Sequence, residues 1–161
     1  MKFMTLTTSI VAAFTFANTA IAATSADLIL QGTVSVVSEI SVAANASSTS
    51  LNIRGGETNK LVASVDETSN NLLGYKIIIS SPTGGELRHT ADASKATSYK
   101  VRYNGASAVT PTTSGVEVKN SGSLAGLQTA SSTLAVDVTA YDLAPAGTYE
   151  DTLTISIQSN N

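Results

Sequence analysis

The strongest constraint on the fold is an alternation of apolar and polar residues near the C-terminal end, over residues 149–158. A period of two is typical of a β-strand that is buried on one face. The apolar face of this strand carries Tyr149, Leu153, Ile155 and Ile157. Because few residues follow it, we expect its covering neighbour to come from an earlier part of the chain or from another molecule.

The first residues have the features of a secretory signal. Lys2 precedes a short apolar run at residues 10–17, and Ala20-Ile21-Ala22 supplies small residues suited to cleavage. The apolar run is shorter than the ~20 residues that a membrane span needs. We therefore predict that residues 1–22 are a cleaved signal peptide and that the protein is exported.

The amino-acid composition favours a strand-rich domain and argues against cysteine chemistry and nucleic-acid binding. Cleavage would remove all 3 Phe and both Met, leaving the 5 Tyr as the only aromatic residues of a chain without Trp or Cys. A core of Val, Ile, Leu and Ala favours strands. The absence of cysteine excludes disulfides, thiolate metal sites and a cysteine nucleophile. A net charge of −3 without a basic cluster argues against nucleic acid as a partner.

Short alternating segments, separated by turn signals such as Gly84-Gly85 and Asn104-Gly105, continue along the chain. The strand candidates lie at residues 27–42, 50–54, 60–66, 74–80, 86–90, 98–103, 116–118, 134–140 and 149–158. Residues 124–132 could hold one helical turn. No segment outside the signal shows helical apolar spacing. About seven short strands predict one all-β domain, an antiparallel immunoglobulin-like β-sandwich.

The first alternating segment after the signal is unusually long. Its apolar phase runs from Leu28 to Val42 and includes Gly32. At ~3.3 Å per residue, this segment would extend about 50 Å, which exceeds an ordinary domain strand. Either it bends into two strands, or part of it leaves the domain.

The residues suited to catalysis form no recognisable set. His89 is the only histidine, so we expect an exposed strand residue and no histidine-rich metal site. The adjacent carboxylates Asp66/Glu67 and Glu150/Asp151 would point to opposite faces of a strand and form no acid–base pair. We predict no enzymatic activity, no metal site and no cofactor.

The tyrosines could form a platform that stacks against sugars. Four of them occupy apolar-phase strand positions, where core packing is expected: Tyr75, Tyr99, Tyr103 and Tyr149. Tyr141, near a turn, is the candidate for an exposed contact.

Several motifs together resemble a known family. They are Gly32-Thr33-Val34-Ser35-Val36, Tyr75-Lys76-Ile77-Ile78-Ile79-Ser80, Tyr99-Lys100-Val101-Arg102-Tyr103, and the terminal Gly-x-Tyr-x-Asp-x-Leu-x-Ile-x-Ile pattern that begins at Gly147. Their order and spacing resemble the spore-coat-U-like family, which includes subunits of archaic chaperone–usher fimbriae. The chain differs from many members in lacking cysteine and in its polar ending, Gln158-Ser159-Asn160-Asn161.

The resemblance implies an immunoglobulin-like domain that lacks its last strand. A periplasmic chaperone would lend a strand, an outer-membrane usher would assemble the subunits, and the next subunit's N-terminal segment would replace the chaperone in a homopolymer at the cell surface. The implied donor residues are Leu28, Leu30, Gly32, Val34 and Val36. The implied acceptor groove and chaperone edge are Tyr149, Leu153, Ile155 and Ile157.

This scheme divides the chain into a signal peptide (residues 1–22), a donor segment merging into the first strand (residues 23–42) and a pilin domain (residues 43–161). The expected function is a structural subunit of a surface fibre or coat, acting in adhesion or biofilm formation. The alternative is a self-contained secreted β-sandwich, a binding module or adhesin, in which residues 28–36 fold back to complete their own domain.

Overall fold

The computed structural model describes residues 25–161, and the predicted signal peptide lies outside the described residues. The chain divides into an N-terminal unit that ends at Thr33 and a domain formed by Val34–Asn161. In the N-terminal unit, residues 25–33 have no regular secondary structure and are exposed. Within residues 25–161, no helix has the length and hydropathy needed to cross a bilayer.

Strands dominate the domain, as the sequence predicts. They are β1 (Ser38–Ala44), β2 (Glu57–Ser69), β3 (Tyr75–Ser80), β4 (Glu86–His89), β5 (Asp92–Tyr103), β6 (Val116–Asn120), β7 (Gln128–Val138), β8 (Tyr149–Glu150) and β9 (Thr154–Ser159). The described residues contain one short 3-10 helix, Ala46–Thr49, and no α-helix.

The strands form two antiparallel sheets. The first has the order β1-β2-β7-β5-β4-β8, and the second has the order β6-β3-β9. The core lies between them and includes Val65, Ile77, Ile79, Val101, Leu134 and Val136. Among the strands of residues 25–161, β1 pairs only with β2, and β9 pairs only with β3. The prediction of an incomplete immunoglobulin-like sandwich is therefore confirmed.

Alternation explains why β3 is a central strand. Tyr75, Ile77 and Ile79 are buried, while Lys76 and Ile78 between them are partly exposed. The turn after β5 also follows its sequence signal: Asn104 and Gly105 both have positive φ, 48° and 75°. Positive φ at two successive residues is the requirement of a tight hairpin turn, which Asn-Gly meets at low cost.

Three predicted elements differ in the structure. Residues 50–54 are not a strand: the chain turns at residues 53–55, where Asn52 Oδ1 accepts a hydrogen bond from Gly55 N at 2.8 Å. Residues 124–127 form a loop that leads into β7, with no helical turn. Residues 27–37 are not a strand, and the alternating segment becomes one only at Ser38, where β2 begins to pair with it.

The C-terminal alternation also differs from a single strand. The chain leaves the first sheet after β8 and enters the second at β9, so residues 151–153 cross between the sheets. The alternating phase persists through this crossing, which is why the sequence alone does not reveal the break.

A buried carboxylate ties the two sheets together beneath β3. Glu67 of β2 is 0% exposed, and Lys119 Nζ on β6 donates to Glu67 Oε2 at 2.6 Å. The Tyr75 hydroxyl donates to Glu67 Oε2 at 2.6 Å, and the Tyr103 hydroxyl donates to Glu67 Oε1. Burial raises the pKa of Glu67, but the hydrogen bonds from Lys119, Tyr103 and Tyr75 outweigh it and hold that pKa below its ordinary value.

Candidate functional site

A groove opens between the two sheets on the side where β1 and β9 each have an unpaired edge. Its cavity measures about 340 Å³. One rim carries Val42 and Ala44 of β1, and the other carries Leu153 and Ile155. The floor and far wall are formed by Ser48, Thr49, Leu51, Val62, Ala63, Leu87, Tyr99, Leu134, Val136 and Asp151. We call this cavity the inter-sheet groove.

The register of β9 aims its apolar side chains into the sandwich. Ile155 lies opposite Ile79, and Ile157 lies opposite Ile77. Leu153, Ile155 and Ile157 pack against the core but stay partly exposed. The predicted acceptor residues Leu153 and Ile155 thus line the groove. Ile157 lies further along β9, outside the cavity lining.

Tyr149, the fourth predicted acceptor residue, lies on β8 and lines a neighbouring cavity of about 460 Å³. This second cavity shares Ser48, Thr49, Leu51, Leu87 and Asp151 with the inter-sheet groove. The ring of Tyr149 packs edge-on against His89 and Tyr141, with centroids 5.1 Å and 6.4 Å apart. Tyr141, predicted as an exposed contact, is partly buried in this cluster.

Asp151 fixes the point at which the chain crosses between the sheets. Its Oδ2 accepts hydrogen bonds from the Tyr99 hydroxyl of β5 at 2.5 Å and from the Ser81 hydroxyl, just after β3, at 2.6 Å. Its Oδ1 accepts the backbone N–H of Thr152 at 2.8 Å. Burial raises the pKa of Asp151, but the bonds from Ser81 and Tyr99 outweigh it and lower the pKa below its ordinary value. Asp151 is therefore bonded to residues of both sheets two positions before Leu153.

One end of the groove is closed. The Ser38 hydroxyl at the start of β1 lies 3.1 Å from the Ser159 hydroxyl at the end of β9. The start of β1 therefore adjoins the end of β9, and the two strands run in opposite directions along the groove. The open part lies toward Ala44 and Leu153, at the other end of both strands.

The predicted donor residues are exposed. Leu28, Leu30, Val34 and Val36 are 82%, 86%, 86% and 67% exposed. A Cβ atom added at Gly32 would meet no atom within 4 Å. Val34 and Val36, the two predicted donor residues that belong to the domain, do not line the inter-sheet groove.

Sequence reasoning missed the groove residues other than Leu153 and Ile155. Asp151 shares the inward phase of Tyr149 and Leu153, and an acid at such a position is a signal for buried hydrogen-bond donors. Val42 gives a weaker signal, because it is an apolar residue at an inward position of an edge strand. It is 49% exposed. Leu51 and Ile53 pack on the core from a turn, and their alternation suggested a strand instead.

The groove combines apolar walls with unpaired backbone groups along β9. Such a site suits an extended segment, which adds main-chain hydrogen bonds to the free edge and buries alternate side chains. Within the described part of the chain, no three His, Cys, Asp or Glu side chains come together as metal ligands would.

No protein-family model and no curated protein sequence matches this chain. Among solved structures, the CooA pilin subunit from enterotoxigenic Escherichia coli aligns with 76% of this chain and 89% of its own, with a TM-score of 0.44 and 12% identity. A likeness this distant identifies neither a family nor a function. The fold and the inter-sheet groove are therefore the basis for assigning a function.

Proposed function

We propose that this chain is a structural subunit of a bacterial surface fibre, and that residues 28–36 of one copy insert into the inter-sheet groove of another. The observation that carries the proposal is that one chain holds both complementary parts. It has a groove that opens along an unpaired strand edge, and an exposed segment with apolar residues at the alternate positions 28, 30, 34 and 36.

The expected energy of such a joint is large enough to hold a fibre together. Leu28, Leu30, Val34 and Val36 would lose their exposure on insertion. At ~1.5–3 kcal/mol for each buried aliphatic side chain, the gross gain is roughly 6–12 kcal/mol. A whole domain is stable by ~5–15 kcal/mol, so the joint would rival the fold itself.

Export, a periplasmic chaperone and an outer-membrane usher belong to the same proposal. The resemblance to the spore-coat-U-like family suggests them, together with a role in adhesion or biofilm formation. The free apolar edge of β9 supports the need for a chaperone, because unpaired strand edges promote aggregation unless another chain covers them.

The test compares two single substitutions on opposite phases of the segment. Val34→Asp places a charge on the apolar phase, and Thr33→Asp places the same charge one residue away on the polar phase. We expect Val34→Asp to abolish multimers of the exported chain, while Thr33→Asp assembles as the wild type does. Size-exclusion chromatography with light scattering measures both. A synthetic peptide of residues 25–37 should bind Val34→Asp subunits and raise their melting temperature.

Two results would overturn the proposal. If Val34→Asp assembles like the wild type, the segment is not the donor. If the wild type is a monomer and Val34→Asp lowers its melting temperature, the segment completes its own domain, and the protein is a self-contained module.

A further inference from the structure

The residues that precede β1 are held in place by one side chain at the end of β2. Asn70 Oδ1 accepts the backbone N–H of Val37 at 2.6 Å. Asn70 Nδ2 donates to the carbonyl of Ser35 at 2.8 Å, and the Asn70 backbone N–H donates to the carbonyl of Val37 at 3.2 Å. Residues 35–37 are thus fastened to β2 although they are not part of a strand.

The polar C-terminal ending contributes to the same region. The Ser38 hydroxyl lies between those of Ser159, at 3.1 Å, and Ser69, at 3.5 Å. Asn71 Nδ2 donates to the carbonyl of Asn160 at 3.0 Å. The sequence Ser-Asn-Asn occurs both at residues 69–71 and at residues 159–161. We call four residues at this end the Ser–Asn latch: Ser38, Ser69, Asn70 and Ser159. Asn71 and Asn160 lie beside the latch and bond to each other.

The latch lies at the closed end of the groove, where β1 begins. For residues 28–36 to fill their own groove, the chain would have to reverse direction between Val36 and Ser38 and release Asn70. Tight reversals need residues that tolerate positive φ or preset a turn, chiefly Gly, Asn, Asp and Pro. Residues 33–44 contain none of these, and Val36 and Val37 are β-branched.

We propose that the Ser–Asn latch directs the segment that ends at Val34 into the groove of a second copy of this chain and prevents it from filling its own. The inference rests on the proposed function and gives a physical reason why the acceptor is another copy instead of the same chain. Asn70 acts here as a positioning residue: it makes no contact with the groove, and it fixes where the donor segment starts.

The experiment uses the full exported chain and four variants. Asn70→Ala removes the side-chain bonds to residues 35–37, and Asn70→Asp keeps the acceptor for Val37 N–H but loses the donor to Ser35. Asn71→Ala is the matched control, because Asn71 bonds to the carbonyls of Gly74 and Asn160 and to no residue of 35–37. The fourth variant combines Asn70→Ala with an Asn-Gly insertion between Val36 and Val37, which supplies the missing turn.

Each protein is refolded at one concentration, and the monomer-to-multimer ratio and melting temperature are measured. We expect Asn70→Ala to raise this ratio roughly tenfold, since two hydrogen bonds are lost, and Asn70→Asp to raise it less. Asn71→Ala should leave the ratio unchanged. The insertion variant should be mostly monomeric and melt well above the Val34→Asp subunit, because its groove is filled from within.

The proposed role of the latch would be wrong if the insertion variant and both Asn70 variants had the same monomer-to-multimer ratio as the wild type. An equal rise in the Asn70→Ala and Asn71→Ala proteins would also overturn it, because that would show general weakening of that end. Neither result touches the proposed function, which fails only if Val34→Asp assembles normally or if the wild type is a self-completed monomer.

Discussion

Strands β3 and β9 lie side by side in the same sheet and present the same residue type to the core, yet they differ in burial. Ile77 and Ile79 of β3 are 0% exposed. Their direct cross-strand partners on β9, Ile157 and Ile155, stay partly exposed. The difference follows from neighbours: β3 pairs with β6 and β9, whereas β9 pairs only with β3. An apolar residue is buried only where the chain provides a cover, and β9 lacks one.

The two strands also differ in how they are fastened. Beneath β3, Glu67 is enclosed and bonded by Tyr75, Tyr103 and Lys119. Ahead of β9, Asp151 is bonded by Tyr99 and Ser81 at the border of the groove. Glu67 is thus fixed beneath a strand that is paired on both edges, whereas Asp151 is fixed just before a strand with one free edge.

The largest effect is expected on the β3 side. Lys119→Met removes the cation that lies 2.6 Å from Glu67 Oε2 and leaves a buried carboxylate without its counter-charge. Breaking a buried ion pair from one side costs ~3–5 kcal/mol. Urea unfolding of the Val34→Asp subunit, with and without Lys119→Met, measures the loss. As a control, Lys100→Met on the exposed face of β5 should cost little.

The second prediction tests the comparison of the isoleucines. Ile79→Ala should lower the free energy of unfolding by ~2–5 kcal/mol, the range for a buried aliphatic side chain. Ile155→Ala should cost clearly less in the monomer, because part of its side chain is already hydrated. In assembled multimers the two costs should converge, which thermal unfolding of both forms would detect. Equal costs in the monomer would mean that the groove is already filled.

A smaller effect is expected at the crossing between the sheets. Tyr99→Phe removes the hydroxyl that donates to Asp151 Oδ2 and leaves the ring packed. Losing a hydrogen bond to a charged group costs ~1.5–3 kcal/mol. If Asp151 positions Leu153, the variant should also bind the peptide of residues 25–37 more weakly, measured by calorimetry. Unchanged peptide binding would limit Asp151 to a role in stability.

The smallest effect is a loss of stability in acid. Glu67 and Asp151 both have pKa values below their ordinary ones. Groups with lowered folded-state pKa values contribute stability above the unfolded pKa, about 4, and lose it as the pH falls through the folded value. The subunit should therefore keep its melting temperature from pH 7 to about pH 5 and lose it progressively below pH 4. Glu67→Gln should flatten this dependence, and thermal melts of both proteins across this pH range check the prediction.

Much of the fold could be predicted because its strands follow local alternation. Tyr75, Ile77 and Ile79 show a period of two, and the structure buries all three. The turn at residues 53–55 could not be predicted in this way, since the bond from Gly55 N to the Asn52 side chain overrides the alternation of Leu51 and Ile53. The break between β8 and β9 could not be predicted either, because inward and outward side chains keep alternating through residues 151–153.

The candidate site was only partly accessible from the sequence. Leu153 and Ile155 were found because a terminal apolar strand face needs a cover. The β1 rim, the floor from β2 and β7, and the latch depend on contacts between residues far apart in the chain. The bond from Ser38 to Ser159, for example, joins residues 121 positions apart. Whether Leu28, Leu30, Gly32, Val34 and Val36 enter a groove remains a prediction.

The attachment of residues 35–37 has a mechanical consequence. Tension applied along the N-terminal segment would enter the domain through the three bonds to Asn70 and then pass into β1. Seven residues of β1, from Ser38 to Ala44, pair in register with β2. A pull along the axis of β1 would strain all of these pairs at once instead of opening them one by one. The domain would therefore resist a pull along β1, which loads the β1–β2 pairs in shear, more strongly than a pull that opens the pairs one by one. Single-molecule pulling in the two directions would measure the difference in unfolding force.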